Sequence, residues 1–216
     1  MTGSVYFISG IDTGIGKTYV TGYLAKLWHA QGKKTVTQKL IQTGNVDVSE
    51  DIEQHRKIMG MGWFAEDETK LTMPEIFTYP ASPHLASKLD GREVDFQKID
   101  YATQKLAEKY QVVLLEGAGG LMVPLTTNLL TIDYVVEKKY PVILVTSGRL
   151  GSINHTILSL EALKSRGLEL YALAYNLKDQ SEDELISKDT AEYLKVYLAT
   201  NFPNSLWIDI PIIESD

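Results

Sequence analysis

Cysteine is absent from the chain, and that absence removes disulfides, thiolate nucleophiles and iron–sulfur ligation together; a reducing, cytoplasmic setting is the expectation. Long apolar runs are missing too. No stretch approaches the ~20 residues of a membrane-spanning helix, and Met1 leads almost directly into a strand-like run, so neither a span nor a signal peptide is expected. Positive charge is scarce and scattered: 21 Lys and Arg stand against 28 Asp and Glu, the formal charge is −7, and no basic run exceeds a pair. Broad nucleic-acid or anionic-membrane binding is therefore not expected, and any phosphate site must be local. The four histidines, His29, His55, His84 and His155, lack a zinc-type spacing and read as surface or hydrogen-bonding residues, so no transition metal is expected. Ser9 and Ser152 lie outside any G-x-S-x-G setting, which argues against a serine hydrolase.

What is present is enough apolar material, 44% of 216 residues, to bury one substantial core, so residues 1–216 are read as a single domain. Short apolar runs alternate with longer amphipathic stretches. Strands are expected at Val5–Ile8, Thr35–Leu40, Val112–Leu115, Val142–Val145, Leu170–Tyr175 and, more weakly, Leu206–Ile210. Helices are expected at Lys17–Gln31, Asp95–Lys109, Thr131–Lys138, Ile153–Arg166 and Asp189–Ala199. Val112-Val113-Leu114-Leu115 and Val142-Ile143-Leu144-Val145 are apolar on successive residues, as strands covered on both faces must be. The pattern predicts an α/β fold, a doubly wound, mostly parallel sheet flanked by helices. Asn45 to Gly91 is the least regular stretch, with a short helix-like piece after Pro80-Ala81-Ser82-Pro83-His84, and its length suggests a functional loop.

Between the first strand and first helix stands Gly10-Ile11-Asp12-Thr13-Gly14-Ile15-Gly16-Lys17-Thr18. A strand, a glycine-rich turn, Gly-Lys-Thr and a helix make a phosphate cradle: backbone N–H groups and the helix end surround a polyphosphate, Lys17 reaches its terminal phosphates, and the Thr18 hydroxyl suits Mg²⁺. ATP or GTP chemistry follows. The spacing is unusual, with five residues rather than the common four between Gly10 and Gly16.

Further residues fall where a parallel sheet opens its ligand crevice, at the carboxyl ends of strands. Lys39 ends the second strand and would face the phosphate loop, so that Lys17 and Lys39 flank one transferring phosphoryl group. Glu116 follows four apolar residues and precedes Gly117-Ala118-Gly119-Gly120; a carboxylate there suits Mg²⁺, and the glycines let backbone approach the nucleotide. A third metal ligand could come from Ser49-Glu50-Asp51, where spacing does not choose between the two acids and either also suits helix capping. Leu150-Gly151-Ser152-Ile153-Asn154-His155 opens a helix, which fits either anion binding by exposed N–H groups or capping by Ser152.

Taken together, Gly-x-Asp-Thr-x-x-Gly-Lys-Thr (10–18), Glu-Gly-Ala-Gly-Gly (116–120), Ser-Pro-His (82–84) and Leu-Gly-x-Ile-Asn-His (150–155) resemble the dethiobiotin synthetase family of P-loop NTPases. The extra loop residue is that family's own spacing, and the likeness runs from the first strand to Pro211. It implies a homodimeric, ATP- and Mg²⁺-dependent enzyme of biotin biosynthesis that closes a cyclic urea on 7,8-diaminopelargonic acid with CO₂. The resemblance assigns catalysis to Lys17, Lys39 and Thr13, and Mg²⁺ to Thr18, Asp51 and Glu116, with Asp51 now preferred over Glu50. It assigns the nucleotide to Gly14, Ile15, Gly16, Lys17, Thr18, Tyr19, Asp51, Glu116, Gly117, Ala118 and Gly119, with Asn176, Leu177 and Pro211 toward the adenine. Thr43 would contact substrate, and Gly151, Ser152, Ile153 and Asn154 would receive the carboxylate of a substrate bound to the neighbouring subunit. Three departures stand out: Leu40 follows Lys39 where the family commonly has proline, Gly14 occupies a variable loop position that is acidic in some relatives and so offers no side-chain contact, and the chain ends five residues after Pro211.

Two other readings share this fold and loop. Partition and cell-division ATPases use a related fold as a nucleotide-dependent dimer switch, but resemble one another in a signature lysine where this chain has Asp12. An ATP-dependent ligase acting on another amine or carboxylate is the third.

Overall fold

The computed structural model describes residues 2–213. In chain order the first half holds β1 (Ser4–Gly10), α1 (Lys17–Ala30), β2 (Thr35–Lys39), β3 (Gln42–Thr43), α2 (Glu50–Met59), α3 (Ala65–Glu68), β4 (Ile76–Phe77), α4 (Pro83–Leu89) and α5 (Phe96–Lys109). The second half holds β5 (Val112–Gly120), β6 (Pro124–Thr126), β7 (Leu129–Leu130), α6 (Thr131–Lys138), β8 (Val142–Gly148), α7 (Ser152–Ser165), β9 (Leu170–Gln180), α8 (Glu184–Asn201) and β10 (Leu206–Ile210).

Six strands form one parallel sheet in the order β10-β9-β8-β1-β5-β2. Its central strands are buried on successive residues, as their unbroken apolar runs require. Alternate residues divide the core. Phe7, Leu115, Leu144 and Leu173 pack on one face with Leu160 and Leu163 of α7 and Leu194 and Leu198 of α8. Ile8, Leu114, Ile143, Val145 and Ala172 face the other way, onto Val20, Leu24 and Trp28 of α1. The chain leaves β1, skips a position to lay down β2, returns through β5 and then builds β8, β9 and β10 on the opposite side. The crevice therefore opens beyond the carboxyl end of β1, where strand order reverses.

Four expectations are corrected. β5 continues to Gly120, so Glu116 lies inside a hydrogen-bonded strand rather than at its end; Gly117 permits this, because a Cβ there would press on the Phe7 ring at 2.8 Å. β9 likewise runs to Gln180 and takes in Asn176 and Leu177. The stretch from Asn45 to Gly91 is more ordered than its composition suggests, with α2, α3 and α4 and a parallel pairing of β3 with β4. α8 also begins at Glu184, ahead of the expected Asp189, because Asp183 caps it by accepting the Leu185 N–H at 2.9 Å. No helix of the described residues is long and apolar enough to cross a membrane.

Candidate active site

A cleft of about 590 Å³ opens over the turn after β1. Thr13, Gly14, Gly16, Lys17 and Thr18 form one wall, Lys39, Thr43 and Asp51 a second, and Glu116, Ala118 and Gly119 a third, while Pro80 to Pro83 close one end. Gly16 ends the turn with φ 95°, a left-handed conformation that glycine tolerates and other residues resist. A Cβ at Gly16 would also fall onto the Asn176 amide. No side chain caps α1, so the first N–H groups of that helix stay free for an anion. Lys17 is buried beside them, and its Nζ donates to the Asp12 carbonyl at 3.2 Å. Burial lowers its pKa, against the pull of Glu116 and Asp51. A buried ammonium over bare N–H groups is a demand for negative charge.

The remaining polar groups converge because of register and helical period. Lys39 and Glu116 are register partners on β2 and β5. Ser49 caps α2, accepting the Ile52 N–H at 3.2 Å, which frees Asp51 from that task. Asp51 turns to the cleft and accepts from Thr18 Oγ1 at 2.7 Å, whereas Glu50 is exposed. Thr18 Oγ1 also lies 3.1 Å from Glu116 Oε1, so one hydroxyl proton is shared between two carboxylates. Lys39 Nζ pairs with Glu116 Oε1 at 2.8 Å, with Asp51, and with the Gly117 carbonyl at 3.2 Å. Burial works against the Lys39 charge, but the two carboxylates outweigh it and hold its pKa above the ordinary lysine value. Burial pushes Glu116 up, yet Lys39 and His55 pull it well below the usual carboxylate range.

Two carboxylates and a hydroxyl at the mouth of a phosphate loop offer hard oxygen donors. One ammonium, Lys39, pairs with both acids. This donor set suits Mg²⁺, which favours one or two carboxylates completed by water and phosphate, and the residues therefore fit that ion. Among the described residues no group of three or more His, Cys, Asp or Glu side chains gathers as a metal site.

Other expected residues lie apart from the cleft lining. Asn176 Nδ2 donates to the Ile15 carbonyl at 2.9 Å and so braces the loop from behind. Tyr19 OH donates to the Pro211 carbonyl at 2.8 Å, with Lys178 Nζ 4.9 Å from its ring centroid, while Leu177 is partly exposed. These residues make one surface beside α1, next to the loop. Ser152 does not cap α7, whose N-cap is Gly151; the Ser152 hydroxyl is instead buried 3.3 Å from Ser147 Oγ. Gly151 and Asn154 are exposed and Ile153 half-buried, and none of Gly151 to Asn154 lines the cleft of its own chain.

Two neighbours of the cluster escaped the sequence reading. Fully buried His55 lies with Nε2 2.8 Å from Glu116 Oε2, and Arg149 pairs with Asp12 at 2.9 Å. The signal for His55 was its place four residues after Asp51, on the same helix face. Arg149 carried none, since only the fold brings the end of β8 to the loop after β1. The Leu40 N–H, which a proline would lack, donates to the Glu116 carbonyl at 2.8 Å.

Comparisons with known proteins give the family. A family model described as an AAA domain matches residues 4–203. ATP-dependent dethiobiotin synthetase BioD 2 of Pasteurella multocida (strain Pm70) is 50% identical over 210 residues, covering 97% of this chain and 98% of that protein. ATP-dependent dethiobiotin synthetase BioD of Chlorobaculum tepidum is 51% identical over 198 residues, covering 92% and 82%. A plasmid partition protein from Borrelia burgdorferi B31, solved with AMPPNP, shares the fold alone: TM-score 0.58 at 14% identity, covering 99% of this chain and 89% of that one.

Proposed function

We propose, from the premise that this chain belongs to the ATP-dependent dethiobiotin synthetase family, that it forms dethiobiotin from 7,8-diaminopelargonic acid, CO₂ and ATP. The observation that carries the reading is the meeting of Lys39 with Thr18, Asp51 and Glu116 at the mouth of the phosphate loop.

The chemistry explains why those groups are needed. A substrate amine captures CO₂ as a carbamate, an anion whose oxygen is a poor leaving group. That oxygen attacks the γ-phosphorus, the bond to the β-bridging oxygen breaks, and ADP departs with the electron pair. The second amine then attacks the carbonyl carbon, phosphate leaves, and the amine releases a proton as the ring closes. Lys17 and the N–H groups of the loop bind the phosphates. Lys39, already held by two acids, stabilises the carbamate and the charge on the transferred group. Thr13 and Thr43, both on the cleft wall, donate hydrogen bonds to phosphate and substrate. When bound, Mg²⁺ neutralises charge on the phosphate oxygens, held by Thr18, Asp51 and Glu116. Gly14 to Gly16 and Gly117 to Gly119 hold the phosphate chain, and Tyr19, Asn176, Leu177 and Pro211 hold the adenine end.

The chain works as one ligase domain, in the cytoplasm, as a homodimer. Leu150, Leu158 and Met122 are 81%, 62% and 56% exposed, and Leu158 and Met122 share a second concavity with Asp12 and Thr13 of the loop. Covering that apolar face with a second copy would bring the Gly151–Asn154 helix start of one subunit to the cleft of the other, where it meets the substrate carboxylate.

The test is direct. Purified protein is supplied with diaminopelargonate, bicarbonate, Mg²⁺ and each nucleoside triphosphate in turn. The cyclic urea is then sought by mass. Product with ATP supports the assignment; ATP hydrolysis without that product rejects it.

A further inference from the structure

Behind Glu116 runs a buried polar chain that the proposed chemistry does not use. Its far end is a two-pronged ion pair: Arg56 Nε and Nη2 each lie 2.7 Å from one oxygen of Asp67. Arg56 Nη1 donates to Thr37 Oγ1 at 2.8 Å, Thr37 Oγ1 lies 3.0 Å from His55 Nδ1, and His55 Nε2 lies 2.8 Å from Glu116 Oε2. Arg56, Asp67, Thr37, His55 and Glu116 are all buried, with His55, Thr37 and Glu116 fully so.

The local geometry makes this chain a unit. Thr37 and Lys39 point to the same side of β2, two residues apart. Asp51 and His55 stand one turn apart on α2, which packs over that side. One helix face thus touches Lys39 and Thr18 through Asp51, and Thr37 and Glu116 through His55. Glu116 is divided between two sets of partners. Oε1 faces Lys39 and Thr18 on the cleft side, and Oε2 faces the histidine on the buried side.

We propose that His55 is a positioning residue for Glu116: it holds Oε2 in the interior so that a single oxygen, Oε1, is presented to the cation and phosphates of the cleft. Thr37 sets the ring. The Glu116 carboxylate can only accept, so Nε2 carries the ring proton to it, and the Thr37 hydroxyl, which accepts from Arg56, donates to Nδ1. A carboxylate with one oxygen pinned cannot swing to embrace a cation with both, which matches the strict single-oxygen geometry of Mg²⁺ better than the looser coordination of Ca²⁺. The inference rests on the reading of Glu116 as a metal-facing acid.

Three substitutions separate positioning from space filling. His55→Gln keeps a donor where Nε2 stands, His55→Asn keeps only the Thr37 side, and His55→Leu removes both. Mn²⁺ binding is measured by the electron paramagnetic resonance of the free ion, with AMPPNP present, and AMPPNP affinity is measured separately in chelator. The Mn²⁺ concentration at half-saturation should rise about 10–100-fold in His55→Asn and His55→Leu and stay within about threefold in His55→Gln. AMPPNP affinity in chelator should match wild type in all three. Wild-type Mn²⁺ affinity in His55→Asn, or a loss in His55→Gln as large as in His55→Asn, overturns the proposal. Should His55→Leu fail to fold, the Gln and Asn pair still decides. Absence of cyclic urea from the wild-type assay would instead remove the ligase reading, so the two failures are distinct.

Discussion

Lys39 and Glu116 sit opposite one another on neighbouring parallel strands, with Lys39 Nζ 2.8 Å from Glu116 Oε1. The ammonium is thereby fixed by the sheet itself rather than by a loop. Lys39→Ala should leave ATP affinity within about threefold while turnover falls by about 10²–10⁴, because the lost interaction acts on charge that develops during transfer. Lys17→Ala should instead weaken ATP binding by at least about tenfold. Calorimetric titration of ATP beside steady-state turnover checks both, and equal loss of binding and turnover at Lys39 would make it a binding residue only.

Leu40 invites a test of the bond that proline cannot make. Leu40→Pro removes the N–H that meets the Glu116 carbonyl and leaves that acceptor inside the protein. Urea unfolding should show a loss of at least about 1–3 kcal/mol. An unchanged midpoint would mean that the strand end relaxes without cost.

The exposed leucine of α7 bears on assembly. Leu158→Glu places a charge in the concavity that exposed Leu158 shares with Met122. With the proposed dimer, sedimentation should shift from dimer to monomer at micromolar concentration, and turnover should fall with it, since the helix start proposed to bind the carboxylate would no longer reach the partner's cleft. A variant that stays dimeric would place the interface elsewhere.

A pH test lies on the far side of the sheet. Tyr197 OH donates to Glu161 Oε1 at 2.6 Å, and this bond, with partial burial, pushes the phenol up to about 12. The unfolded value is about 10. A raised folded pKa gives stability that is full below about pH 10 and lost as pH rises toward about 12. The stability advantage of wild type over Tyr197→Phe should therefore be constant from pH 8 to about 10 and shrink above it, as followed by urea unfolding. A constant difference through pH 11 would contradict this.

Much of the sheet was legible because covered parallel strands must be apolar on successive residues, and Val112 to Leu115 and Val142 to Val145 meet that demand. Their ends were not. Glu116 to Gly120 and Asn176 to Gln180 carry polar or glycine residues that propensity assigns to loops, whereas pairing with neighbouring strands extends them. The phosphate loop was readable residue by residue, since its contacts are local in sequence. The Asp51 position needed a fact no spacing contained, that Ser49 takes the cap and turns Asp51 inward. The contacts of His55 and Arg149 lie 61 and 137 residues away, so only the helical spacing from Asp51 pointed to His55 and nothing near Arg149 pointed to it.

The single turn between Asp51 and His55 makes α2 intolerant of length. One residue inserted there would rotate everything beyond it by about 100°, swinging the imidazole away from the strand while the aspartate kept its place. Related sequences should accordingly vary in length before Ser49, where Val46 to Val48 are exposed, and hold their count within that turn.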